Sequence, residues 1–137
     1  MNNQNSGESN LDVLIKSMKP ELKDGEFVFC TVGNSDYHAG KIDVLCTFQE
    51  EEGTTLILHK SIAEANNLSY SSVWSLITCN VHSDLNAVGF LAAISEKLAQ
   101  AKISVNVVSA YFHDHLFVPK EEAFRAIEVL KDLSGIA

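Results

Sequence analysis

Residues Val73–Val118 read VWSLITCNV, HSDLNAVGFLAAISEKLAQAKI, SVNVVSAYF, HDH and LFV in succession. The first segment is β-branched, aromatic and short, as a strand is. The second has the length and apolar spacing of an amphipathic helix, with Val88, Leu91, Ala92, Leu98 and Ala99 on its inner face. The third and fifth are strands joined by the HDH turn. A β-α-β-β order fixes an α+β fold class. Trp74, Leu76, Thr78 and Asn80 alternate with Ser75, Ile77, Cys79 and Val81, and apolar groups on both faces suit a central strand.

Working outward, Leu11, Leu14, Ile15 and Met18 recur at helical spacing behind the N-cap candidate Asn10, and Pro20 ends that helix. Strands are predicted at 27–32, 42–49 and 54–59, the last two joined by the charged hairpin loop EEEG. Ser61 is placed to cap a short helix through Asn67. Pro119 opens a final helix with Ala123, Phe124, Ile127 and Leu130 inward, and Gly135 stops it. After Gly135 too few residues remain for a strand. The sheet of the second half therefore needs a strand from the first half or from another chain. The expected organisation is a disordered tail at 1–10, one α+β half at 11–70 and another at 71–137, with an antiparallel sheet covered by helices on one side.

The bulk numbers exclude several classes. The chain has 137 residues, 46% of them apolar, and carries 18 acidic against 10 basic side chains, a net charge of −8. That charge opposes binding to nucleic acid and to an anionic membrane surface. No run of residues is apolar and long enough to span a bilayer, and the polar first ten residues do not form a signal peptide, so a cytoplasmic protein is expected. Cys30, Cys46 and Cys79 lack metal spacing and read as buried thiols in a reducing compartment. No nucleophile elbow, phosphate loop, dinucleotide fingerprint or zinc-protease helix is present, so no enzyme and no cofactor is expected.

The stretch DLNAVGFLAAISEKLAQAKISVNVVSAYFHDHLFV resembles an ACT domain. Gly89, Leu91, Ile94, Leu98 and Ala99 stand where that family's helix has its glycine and apolar positions. Lys102 replaces the usual glycine before the second strand, and Val88 the usual proline. AVGFLAAIS and YFHDHLFV resemble a small bacterial branch with two ACT-like halves. They are similar at greater distance to cytosolic arginine sensors of the CASTOR type. The resemblance implies a ferredoxin-like fold and a non-catalytic regulatory protein. It would bind a small-molecule effector, an amino acid, and act in trans as a homodimer or on a separate regulated protein. The alternative is a ligand-independent interaction module whose incomplete sheet recruits another chain.

The candidate binding residues are Ser83, Asp84, Val88, Gly89, Phe90, Asn106, Tyr111, His113 and Asp114. A helix start offers free N–H groups and positive potential to a carboxylate, and Gly89 permits close approach. Asp84 can hold an ammonium group; equally, Ser83, Asp84 and Asn86 can simply cap the helix. Asn106 and Ser109 sit in an otherwise apolar strand and need a partner or a pocket. Trp74 and Tyr111 can wall a pocket or fill the core. His113, Asp114 and His115 invite a metal reading, but residues two apart in a hairpin need further ligands to converge. The resemblance to arginine sensors makes Asp114 an effector contact, and the bland reading makes it a turn residue.

Overall fold

The computed structural model describes residues 7–135. Of the expected tail, residues 1–6 lie outside the described residues. The chain divides into two compact units. One runs to Lys23 and resumes at Ser75, and the other is Asp24–Trp74.

The unit that resumes at Ser75 is built from helix α1 (Leu11–Ser17), strand β1 (Pro20–Leu22), strand β5 (Trp74–Cys79) from its second residue on, helix α3 (Phe90–Gln100), strands β6 (Asn106–Ser109) and β7 (Asp114–Pro119), and helix α4 (Ala123–Ser134). Its strands lie in the order β1-β5-β7-β6. The strand missing from the second half is β1, which pairs antiparallel with β5 from Pro20↔Cys79 to Leu22↔Ile77. The chain thus supplies its own fourth strand. Ile77, Cys79, Leu116 and Val118 point to one face, where they meet Leu14 and Met18 of or just beyond α1, Ile94 and Leu98 of α3, and Ala126 and Leu130 of α4. All these side chains are fully buried. Each large one contributes about 1.5–3 kcal/mol by leaving water.

Helix starts decide which face turns inward. Helix α3 begins at Phe90 behind Gly89, so its buried stripe is Phe90, Ile94 and Leu98. The expected stripe through Val88 and Leu91 is displaced, and Val88 lies outside the helix, 83% exposed. Likewise a short 3-10 turn at Lys120–Glu122 sets α4 to bury Ala123, Ala126, Leu130 and Ser134. Phe124 is left 80% exposed. Gly135, at φ 81°, closes α4 in the left-handed conformation, as the sequence suggests.

The Asp24–Trp74 unit holds β2 (Phe27–Val32), β3 (Cys46–Gln49), β4 (Thr54–His59) and the helix α2 (Lys60–Ala65). β4 pairs antiparallel with both β2 and β3, and Phe27 pairs with Trp74. Val28, Cys30, Leu56, Leu58 and Ala63 form its core. The strand expected from residue 42 starts only at Cys46, because Ile42 and Val44 instead pack against that core. Ser61 lies inside α2, not at its cap, which is His59.

Candidate functional site

The loop from Asn80 to Gly89 connects β5 to α3. Asp84 shapes it locally: its Oδ1 accepts from the Asn86 N–H at 2.7 Å, and its carbonyl from the Ala87 N–H at 2.9 Å. These are turn bonds, so neither Ser83, Asp84 nor Asn86 caps α3. The cap is Gly89, at φ 94°, with no side-chain hydrogen bond. The first intrahelical bond runs from Ala93 N to Gly89 O. The N–H groups of Phe90, Leu91 and Ala92 precede it, at the positive end of the helix dipole.

The β6–β7 hairpin stands opposite. Its reversal lies at residues 110–113, where the Ala110 N–H donates to the His113 carbonyl at 3.0 Å. Asp114 is therefore the first residue of β7, paired with Ser109, not the middle of a turn. It is 5% exposed, and its Oδ2 accepts from Ser83 Oγ at 2.9 Å. Among the described residues no lysine or arginine pairs with it. A buried carboxylate with so little compensation is costly unless a cation reaches it.

A pocket of about 130 Å³ opens between these parts. Ser83, Asp84, Gly89, Phe90 and Asp114 line it, together with Leu85, Ala87, Leu91, Ala92 and Ser109. Five of the nine candidates thus converge, and Ser109 joins them. The other four do not line it. Val88 faces solvent, and exposed Asn106 lies at the far end of β6, opposite Phe117. Tyr111 packs its ring on Phe112, with centroids 4.9 Å apart. The His113 ring places Nδ1 3.3 Å from the Val81 carbonyl. Trp74 packs edge-on against Phe29 and does not line the pocket. Leu85, Ala87, Leu91 and Ala92 carry no signal that separates pocket walls from core residues.

A larger groove of about 380 Å³ runs between α3 and α4. Both of its cations are already matched: Lys97 Nζ lies 3.1 Å from Asp132, and Arg125 donates to Glu122 and to the Ala101 carbonyl at 2.7 Å each. Size favours this groove; a buried carboxylate without a lysine or arginine partner favours the smaller pocket.

The nearby titratable groups are poorly suited to nucleophilic chemistry. Burial, and secondarily the negative Asp114, push the Cys79 thiol up to about 12, so it stays protonated. Burial, then the neighbouring His113, lowers the pKa of His115 below its ordinary value. Its Nδ1 is 3.0 Å from Thr78 Oγ1. The rings of His113 and His115 are 6.4 Å apart. No group of three or more His, Cys, Asp or Glu side chains that could hold a metal ion occurs among the described residues. No helix among them is long and apolar enough to cross a membrane.

Comparison with known proteins places this geometry in a family. Two ACT-domain models match, over residues 6–75 and 69–132. A Vibrio cholerae protein of unknown function, described as a possible transport protein, is 45% identical over 90% of this chain and 95% of its own, with a TM-score of 0.81. An Agobacterium tumefaciens protein shares the fold at 13% identity, covering 84% of this chain and 87% of its own, with a TM-score of 0.71. The ligand-free regulatory subunit of aspartate kinase from Thermus thermophilus does so at 11% identity, covering 86% and 98%, with a TM-score of 0.64. No curated protein matches the sequence. With two ACT-family domains covering most of its length, the chain belongs to the ACT-domain family.

Proposed function

We propose that this protein is a non-catalytic sensor that binds a free amino acid in the Ser83–Asp114 pocket. The observation that carries this reading is Asp114, a buried carboxylate facing a pocket without a lysine or arginine partner. An α-ammonium group satisfies it, while the α-carboxylate meets the uncapped N–H groups of Phe90, Leu91 and Ala92. The two charges of a zwitterion thereby meet opposite potentials across one small cleft. Ser83 and Ser109 supply further hydrogen bonds.

A pocket of about 130 Å³ is smaller than the roughly 300–1,000 Å³ of drug-sized sites. It covers part of an amino acid, and we assign the remaining wall to a second copy of the chain. Occupancy then acts in trans, through ACT–ACT contacts, on the assembly or on a regulated partner. The likeness of the fold to a regulatory subunit supports this role.

Thermal unfolding with each of the twenty amino acids in turn tests the proposal. At 100 times its dissociation constant a ligand stabilises the fold by about 2.7 kcal/mol. A shift with at least one amino acid that disappears in Asp114→Asn is the expected result. A well-folded protein unmoved by all twenty refutes it.

A further inference from the structure

We propose that residues 7–11 form a strap that holds the pocket loop in its binding shape, and that release of the strap opens the pocket. The proposal rests on the amino-acid reading of that pocket.

The strap grips the loop through its main chain. Glu8 pairs in parallel with Ser83: its N–H donates to the His82 carbonyl at 2.7 Å, and its carbonyl accepts from the Asp84 N–H at 2.8 Å. Ser83 is thus held twice, by main-chain bonds around it and by its hydroxyl on Asp114. Gly7, at φ 93°, lies close against the loop. A Cβ there would stand 2.6 Å from the His82 carbonyl oxygen and 2.8 Å from His82 Cδ2, so no other residue fits without lifting the segment. The Glu8 carboxylate turns back and accepts from the Ser9 and Asn10 N–H groups at 3.1 and 2.9 Å. Asn10 caps α1 through the Val13 N–H. Leu11 reaches the other end of the loop, where a Cβ on Gly89 would lie 3.3 Å from Leu11 Cδ2. Both ends of the Ser83–Gly89 loop are therefore clamped by one segment, itself anchored through buried Leu14 and Met18.

The clamp is built to release. It holds the loop's main chain through hydrogen bonds of Glu8, and short contacts of this kind open locally at less cost than the core. With the strap closed, His82 Nε2 is buried without a hydrogen-bond partner, its ring lying beside Gly7 and the Tyr111 and Phe112 rings, and a lifted strap gives water a way to it. A ligand that binds only the strapped loop draws the equilibrium toward closure.

Amide hydrogen exchange on the full-length protein tests this, with an equimolar mixture of the twenty amino acids as probe and Gly7→Ala and Glu8→Pro as variants. The mixture is expected to slow exchange at Asp84 in the wild type. Each variant is expected to speed it about tenfold and to raise the half-saturating concentration of the mixture about tenfold. Leu98 and Leu116 amides, deep in the core, report that the fold survives and are expected to stay protected. Unchanged Asp84 exchange in both variants overturns the strap. Faster exchange with unaltered affinity overturns its control of the pocket. A wild type that the mixture does not stabilise at all instead overturns the amino-acid reading, and the gating with it.

Discussion

Ser83 Oγ and Asp114 Oδ2 lie 2.9 Å apart, and this hydrogen bond ties the β5–α3 loop to the first residue of β7. Both residues are buried, at 7% and 5% exposure. The two partners do not cost the same to remove. Ser83→Ala strips a buried carboxylate of its donor and is expected to destabilise the protein by about 1–3 kcal/mol. Asp114→Asn keeps an acceptor for Ser83 and removes the buried charge, so it is expected to cost less or to stabilise. Urea unfolding of both variants checks the order; equal losses would contradict it.

Gly89 combines a positive φ with a close neighbour in Leu11. Gly89→Ala is expected to cost about 1–3 kcal/mol in stability, the usual strain of a side chain held in that region. Gly40 is also at positive φ, but a Cβ added there would have nothing within 4 Å, so it isolates the backbone part. The excess loss at Gly89 over Gly40→Ala in paired denaturation curves measures the contact with Leu11, and no excess would mean that this packing is loose.

His115 has a folded-state pKa below its ordinary value, because burial and His113 disfavour its cation. The unfolded chain therefore binds more protons than the folded one between the lowered value and about 6.5. Stability contributed by neutral His115 is full above that window and falls as the pH drops through it. The wild type is expected to lose stability relative to His115→Gln on going from pH 7.5 to pH 5, read from urea midpoints. Parallel pH profiles would dismiss this linkage.

The three thiols differ in access. Cys46 is partly exposed on β3, whereas Cys30 and Cys79 are buried. With Cys79 at about 12, only about one molecule in ten thousand carries its thiolate at pH 8. A thiol reagent at pH 8 is expected to modify Cys46 quickly and the other two only on unfolding. Rapid titration of all three in native buffer would count against the packing around Cys30 and Cys79.

Much of the fold is legible in local patterns. They carry α1 with its Asn10 cap, strands β2 and β4, the β-α-β-β order and the stop at Gly135, because each depends on neighbours within a few residues. Places where two local rules compete go differently. Ser83, Asp84 and Asn86 are all good caps, yet Gly89 starts α3, so the buried stripe rotates to Phe90, Ile94 and Leu98. HDH looks like a turn, yet the turn falls three residues earlier and Asp114 enters a strand.

The sequence by itself determined the α+β class and the ACT kinship, since these follow from periodicity and a short run of matched residues. Only the tertiary structure decided that β1 fills the open place beside β5, that residues 7–10 dock on the pocket loop, and that Ser83 meets Asp114 across 31 residues of chain. The physical reason is range. Hydrogen bonds within a helix or turn are set by nearby residues, whereas a strand's partner, and the partner of a buried charge, depend on which distant segments the core brings together.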